Sequence, residues 1–299
     1  MDENAPDKVT SVTSQRYYSS VQYLLPADRE ETARLDAQHL IIVKAFENRL
    51  SLAPLNLVAG DKVLESAAGS GIWALEFSAE KHANGIKVDI ECIDLSSKQF
   101  PPTGTYPSNI NFSVHSISSL PLSWTDTFAY AHQRLIVLAL NDSLWRQAIA
   151  ELYRVLRPGG YLELVEFETK RFHCGVGPSS NKLCSLVDEL FAEKGIIQDV
   201  STYLCPLLEE IGFVNVRCEV RDVPIGGRQC VVQSGAGYTG EQWGEGWMGV
   251  KVPVVKGGGY GVVNTEEEFD VLVRDSVREW NESKGLFTSF YAILANKPY

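Results

Sequence analysis

The sequence predicts an α/β protein built on a doubly wound, Rossmann-like sheet, and three observations carry that prediction. From Lys62 onward, apolar strand-like runs alternate with helical patterns, as in a parallel sheet covered on both faces. The stretch Lys62 to Trp73, KVLESAAGSGIW, passes from a buried strand to a helix through a bend of small residues. Asp94 closes the next strand, where a doubly wound sheet brings a carboxylate beside that bend.

Taken in order, residues 1–15 read as a disordered tail, polar and without an apolar core. Tyr17, Tyr18 and Tyr23 follow. Asp28 or Thr32 then caps a helix running to about Leu50, with Leu35, His39, Ile42, Val43 and Phe46 on one stripe. Pro54 and Gly60 end this N-terminal helical unit, 16–56. Strands are expected at 62–65, 86–94, 109–114, from 128 to 131, and at 161–167. A helix over 144–156 stops at Pro158-Gly159-Gly160. Helical patterns at 180–195 and 202–211 precede a sixth strand from Phe213 to Cys218. Residues 225–263 are dense in glycine and read as a long loop or broken helix holding Trp243, Trp247 and Tyr260. Thr265 caps the last helix, and 286–295 forms a seventh strand.

Bulk properties exclude several function classes. The chain has 299 residues, 44% of them apolar, enough for one large domain or two small ones. A net charge of −11 argues against nucleic acid or an anionic membrane as partner. No apolar run reaches the ~18 residues of a membrane span. The N-terminus has no signal-peptide pattern. Six scattered cysteines without C-x-x-C argue against zinc and disulfide frameworks, so no metal site is expected and a cytoplasmic setting is.

The bend carries the first chemical signal. Ala67, Gly69 and Gly71 fall on every second residue, so the backbone turns tightly and a ligand can approach it. The helix behind offers unpaired N–H groups to an anion. Glu65, at the end of the first strand, suits a ligand carrying an ammonium group and ill suits a pyrophosphate. Asp94 is placed to accept two hydrogen bonds from a ribose diol. His132 and Arg134 follow strand four on the same edge, so a nucleotide-like ligand would lie over strands one and two and a second reactant over strand four.

These residues resemble the class I S-adenosylmethionine-dependent methyltransferases. The matching motifs are V-L-E-x-A-x-G-S-G-I-W-A, then I-D-L-S, then R-V-L-R-P-G-G-Y-L-E-L. Y-L-L-P-A-D-R-E-E with R-L-D-A-Q-H (23–39), I-D-L-S-S-K-Q-F-P-P with N-I-N-F (93–112) and A-H-Q-R (131–134) resemble the fungal methyltransferases related to the velvet-associated regulator of secondary metabolism. The resemblance implies seven strands with the last antiparallel, and a cofactor-binding domain over 57–299. It implies S-adenosyl-L-methionine as cofactor, held by Glu65, Ala67, Gly69, Gly71, Asp94, Leu95 and the segment after strand three, His115 and Ser116. The acceptor implied is a small molecule, with a fungal specialised metabolite in first place. A regulatory methyltransferase-like protein acting in a complex is the alternative. A nicotinamide oxidoreductase also fits G69-S-G-I-W-A74, but Glu65 and the R-P-G-G-Y turn count against it. Three positions depart from the family pattern. Ala67 replaces a glycine, which is tolerable if φ there is negative. Neither His115 nor Ser116 is the acid that often meets adenine, and Ala129 replaces an acid in strand four.

In-line methyl transfer requires alignment, exclusion of water and, for a hydroxyl acceptor, loss of a proton. His132 is the candidate for the group beside the acceptor, and a base there favours oxygen as the methylated atom; otherwise it is a histidine packed at a strand end. His39 is a pocket residue or part of the core. Tyr23, with Tyr17 and Tyr18, folds over the cofactor or simply packs. Trp247 and its glycine-rich surroundings form a lid over the acceptor or a solvent-facing insertion. Arg134 and Glu166 read as structural ion pairs or sheet-edge residues.

Overall fold

Apolar residues spaced two apart build the sheet from its middle outward. In the computed structural model, which describes residues 16–18, 22–170, 174–227 and 236–299, β1 (Lys62–Ser66) is central and buried from Val63 onward. It pairs in parallel with β2 (Asp89–Asp94) on one side and β4 (Phe128–Arg134) on the other. The parallel set is completed by β3 (Ile110–Val114) beside β2 and β5 (Leu156–Phe167) beside β4. Beyond β5 the direction reverses. The last strand, β7 (Phe287–Asn296), runs antiparallel between β5 and β6 (Val214–Pro224), giving the order β3-β2-β1-β4-β5-β7-β6. This is the doubly wound sheet with an antiparallel last strand that the sequence implied. The expected tail, residues 1–15, lies outside the described residues.

Because strand side chains alternate between faces, the central strands β1, β2 and β4 feed two cores. Leu64, Ile93 and Ala131 enter the larger core with Trp145, Ile149 and Leu152 of α3 (Asp142–Val155). Val63, Ile90, Cys92 and Tyr130 enter the smaller one with Trp73 and Phe77 of α2 (Ile72–Ala83). The chain reaches β1 over a buried acid. Glu163 of β5 accepts hydrogen bonds from Ser51 Oγ, the Leu52 and Ala53 amides and Tyr130 Oη, at 2.9 to 3.1 Å from its Oε2. Four donors converging on one carboxylate satisfy a group that would otherwise be costly to bury.

Helix α1 (Arg29–Ala45) starts at Asp28, whose side chain accepts from the Glu31 amide at 3.1 Å. It ends five residues before the expected Leu50, because Glu47 and Asn48 turn to φ of 57° and 59°. Strand β4 is longer than expected and carries His132 and Arg134 inside the sheet. The glycine-rich segment is more ordered than a loop. Its described part holds α6 (Gly240–Met248), opened by a Thr239–Gln242 capping box, and α7 (Lys251–Lys256), after α4 (Pro178–Lys194) and α5 (Val200–Ile211). Trp243 and Trp247, one helical turn apart, face inward near Trp280 of α8 (Glu266–Glu282), so the reading of a solvent-facing insertion does not hold. Residues 228–235 of that segment lie outside the described residues.

The bend after β1 corrects a second expectation. Ala67 adopts φ of +57°, and Gly69 and Gly71 adopt +54° and +74°. A side chain in the left-handed region costs about 1–2 kcal/mol, partly offset because alanine loses less freedom on folding than glycine. Ala67→Gly is therefore expected to stabilise the fold by up to about 1 kcal/mol in urea titrations. A lower stability would show that the alanine methyl contributes packing that outweighs the strain.

Candidate active site

The carboxyl edge of the sheet holds two successive rows of side chains on the α2 face. Register pairs Cys92, Glu65 and His132 in one row, across β2, β1 and β4. The next positions on that face of β2 and β4 are Asp94 and Arg134, about 6.6 Å nearer the edge, with the bend that begins at Ala67 between them. A cavity of about 290 Å³ opens over this outer row. Its walls include Ala67, Ala68, Gly69 and Ser70 of the bend, Asp94, Leu95 and Gln99 after β2, and His115 to Ser118 after β3. Arg134 to Ile136 wall it after β4, and Gln22, Tyr23 and Leu35 close it from above. Its size is at the low end of small-molecule clefts, roughly 300–1,000 Å³.

Asp94 is fixed by its own neighbours. Oδ2 accepts from the Gly69 amide at 3.0 Å and Oδ1 from the Ser96 amide at 3.2 Å. Burial raises its pKa, and these N–H bonds oppose the rise. At Gly69, φ of +54° favours glycine, and an added Cβ would press on Leu35 Cδ1 at 3.2 Å. Gln99 supplies a buried amide whose Nε2 has no hydrogen-bond partner among the described residues.

The inner row behaves differently. Glu65 Oε2 lies 2.6 Å from His132 Nδ1, and each residue is only 2% exposed. The imidazole stacks on Trp73 at 3.9 Å between ring centroids. Burial pushes the Glu65 carboxyl well above its ordinary range and the His132 imidazole down to about 3. Both shifts favour a neutral pair, with a protonated carboxyl donating to Nδ1. Two expectations are corrected here. Glu65 offers no free carboxylate to a ligand, and His132 is no base beside an acceptor, because both side chains lie one row beneath the cavity floor.

His39 is likewise outside the cavity, in a fixed tautomer. Its Nδ1 accepts from Arg134 Nη2 at 2.8 Å, so Nε2 carries the proton and donates to Glu76 Oε2, also at 2.8 Å. Gly71 is not a wall either. It opens α2 and lets Phe112 of β3 approach, since a Cβ there would sit 2.5 Å from the ring.

A second cavity of about 80 Å³ adjoins the first, with Tyr23, Leu35 and Leu135 as shared walls. Phe191, Tyr238, Trp243, Trp247 and Phe290 make it largely aromatic. Its polar wall is Arg34 and Gln38, joined by an Nη1–Oε1 bond of 3.1 Å, with Arg34 Nε also on Glu31 at 2.9 Å. Trp247 therefore faces this second cavity rather than the first. Tyr18 donates to the Gly249 carbonyl at 2.9 Å, and Tyr17 lies under the Lys98 ammonium, so of the three N-terminal tyrosines Tyr23 alone is a wall.

The structure thus brings Ala67, Gly69, Asp94, Leu95, His115, Ser116 and Tyr23 to one cavity. It leaves Glu65, Gly71, His39 and His132 behind that surface. Arg134, Gln99, Leu35 and Leu135 were missed as cavity residues. For Arg134 the sequence signal was present: in a strand, the residue two after His132 shares its face. Glu166, on the other face of β5, fixes the exit of β4 by accepting from the Ile136 amide at 3.0 Å and the Val137 amide at 3.1 Å.

Comparison with known proteins gives concordant findings. A family model described as a methyltransferase domain matches residues 63–160. Methyltransferase grgD of Penicillium sp is 31% identical over 198 residues, covering 63% of this chain and 67% of that protein. N-methyltransferase verN of Clonostachys rogersoniana is 27% identical over 213 residues, covering 69% and 70%. Among solved structures, the (4+2)-cyclase SpnF superposes with a TM-score of 0.50 at 17% identity, over 93% of this chain and 87% of that one, a likeness of fold.

Glu166 makes the stability of the β4 exit depend on pH. Burial raises its carboxyl from the ordinary 4.5 to about 8 in the fold. Its folded pKa exceeds the unfolded one, so its contribution is complete below about 4.5 and is lost as pH rises to about 8. The stability of wild type relative to Glu166→Gln should fall over that window in urea titrations. A constant difference would show the carboxyl ionised throughout.

Proposed function

The chain belongs to the class I S-adenosylmethionine-dependent methyltransferases, and from that premise we propose that it methylates a small, largely apolar, ring-bearing acceptor of fungal specialised metabolism. The observation that carries this reading is the pair of adjoining cavities, one rimmed by Asp94 and the small-residue bend, the other aromatic. The residues fit the cofactor. A half-buried carboxylate suits a ribose diol, the bend suits a close-lying methionine chain, and the unpartnered Gln99 amide offers a donor in the same wall. In this reading Asp94 holds the ribose, Leu95 and the segment His115 to Ser118 border the base, and Ala67 to Ser70 border the amino-acid tail. Once bound, S-adenosyl-L-methionine supplies an electrophilic methyl on a sulfonium sulfur.

The chain's own residues then align and exclude. Tyr23, Leu35 and Leu135 stand where the two cavities meet, so they set the approach of the acceptor to the methyl group. Burial raises the Tyr23 hydroxyl pKa, which keeps it a neutral donor. Alignment of this kind is worth about 7–11 kcal/mol. The aromatic walls, Trp247 among them, bury an apolar ring and keep water out.

The methylated atom follows from what the cavities lack. A preference for oxygen rested on His132 as base, and that residue is neutral and beneath the floor. A neutral amine nitrogen attacks through its own lone pair before any proton is lost, so it needs less help from a base, and the relative from Clonostachys rogersoniana is named an N-methyltransferase. Nitrogen is therefore the acceptor atom in this proposal. Incubating the protein with methyl-labelled cofactor and fungal extracts, then reading small molecules by mass spectrometry, tests it. Label appearing only in protein would replace this reading by the regulatory one.

Two substitutions separate the cavities. Asp94→Asn keeps the side-chain shape but removes the charge, and should weaken S-adenosylhomocysteine binding about 10-fold or more in calorimetry. Trp247→Ala should raise the acceptor KM about 10-fold while changing S-adenosylhomocysteine affinity less than about 2-fold. Equal effects of Trp247→Ala on both ligands would remove the division of labour.

A further inference from the structure

One charged group in the first cavity has no part in the reading so far. Arg134 ends β4 and is one of the residues that line this cavity. Among the described residues it makes one hydrogen bond, to the neutral acceptor His39 Nδ1, and no carboxylate is paired with it. The acids around it are engaged elsewhere. Glu65 is bonded to His132, Glu76 to His39 Nε2, and Asp36 accepts from Ser70 Oγ at 2.7 Å. A half-buried guanidinium with one bonded N–H and engaged counter-charges can take an anion.

Position decides which anion. Arg134 stands one strand from the bend, on the side away from Asp94. Two strand spacings, about 10 Å, separate its place in the row from that of Asp94. Arg134 walls the first cavity and not the aromatic one, so the anion belongs to the cofactor's side rather than the acceptor's. With the ribose at Asp94, the tail of the cofactor runs past Ala67 toward β4. We propose that Arg134 binds the α-carboxylate of the cofactor's methionine moiety, held in place by the His39–Glu76 relay. The assignment rests on the cofactor reading above. It also gives the relay a purpose: His39 can accept from Arg134 only through an unprotonated Nδ1, and Glu76 enforces that tautomer.

The test compares S-adenosylhomocysteine with its decarboxylated form, which lacks only the carboxylate, by calorimetry. Wild type should bind the former about 10- to 100-fold tighter, the range for a charge-assisted hydrogen-bonded pair. Arg134→Met should abolish that gap by losing affinity for S-adenosylhomocysteine alone, and Arg134→Lys should leave a smaller gap. Equal wild-type affinities overturn the assignment. So does an equal loss of both ligands in Arg134→Met, the result if the guanidinium merely anchors α1 through His39. If neither ligand binds wild type, the cofactor reading falls and takes this assignment with it. The wild-type comparison requires no variant to fold.

Discussion

A carboxyl and an imidazole buried side by side between β1 and β4 set the level at which chemistry can take place. Glu65 and His132 are register partners in adjacent parallel strands, so their side chains leave the sheet in the same direction. Trp73 covers the imidazole, and the close Oε2–Nδ1 contact lets two polar groups share burial as a neutral pair. Either charge alone would be costly in that setting. With the inner row sealed, the next row outward becomes the floor of the cavity. Its members, Asp94 and Arg134, keep charges that a ligand can reach.

The bend over that floor is built by exclusion of side chains. Gly71 makes way for Phe112, and Gly69 lets Leu35 of the capping helix come down on the turn. These approaches bring β3 and α1 against the same few backbone atoms. Ala67 carries the left-handed conformation with a methyl present, so the requirement at that position is for a backbone angle that glycine adopts freely and alanine adopts under strain.

The cap above the sheet turns one opening into two cavities. Leu35 is near the start of α1 and Tyr23 lies just before it, and both border each cavity. The floor presents charged side chains and the second chamber aromatic ones, so the two differ in the ligand chemistry they can take. Helix α6 closes the far side with Trp243 and Trp247, stiffened by their contact with each other and with Trp280.

Local pattern carried much of this. The alternation of strands and helices, the small-residue bend, the acid ending β2 and an N-cap at Asp28 or Thr32 follow from spacing, which depends on near neighbours. Depth did not follow. A strand-end residue in sequence is a rim residue only if the strand stops there, and β4 continues through Arg134 because β5 pairs with it that far. That continuation left His132, and with it its β1 register partner Glu65, beneath the floor and brought Arg134 to it. The helices hidden in the glycine-rich segment escaped for a related reason: Trp243 and Trp247 are held by contacts with α8, some thirty residues on. Sequence by itself determined the strands and helices of the sheet layer and which residue types meet at the carboxyl edge. Tertiary pairing decided which of those side chains face a ligand, because exposure is set by neighbours distant in the chain.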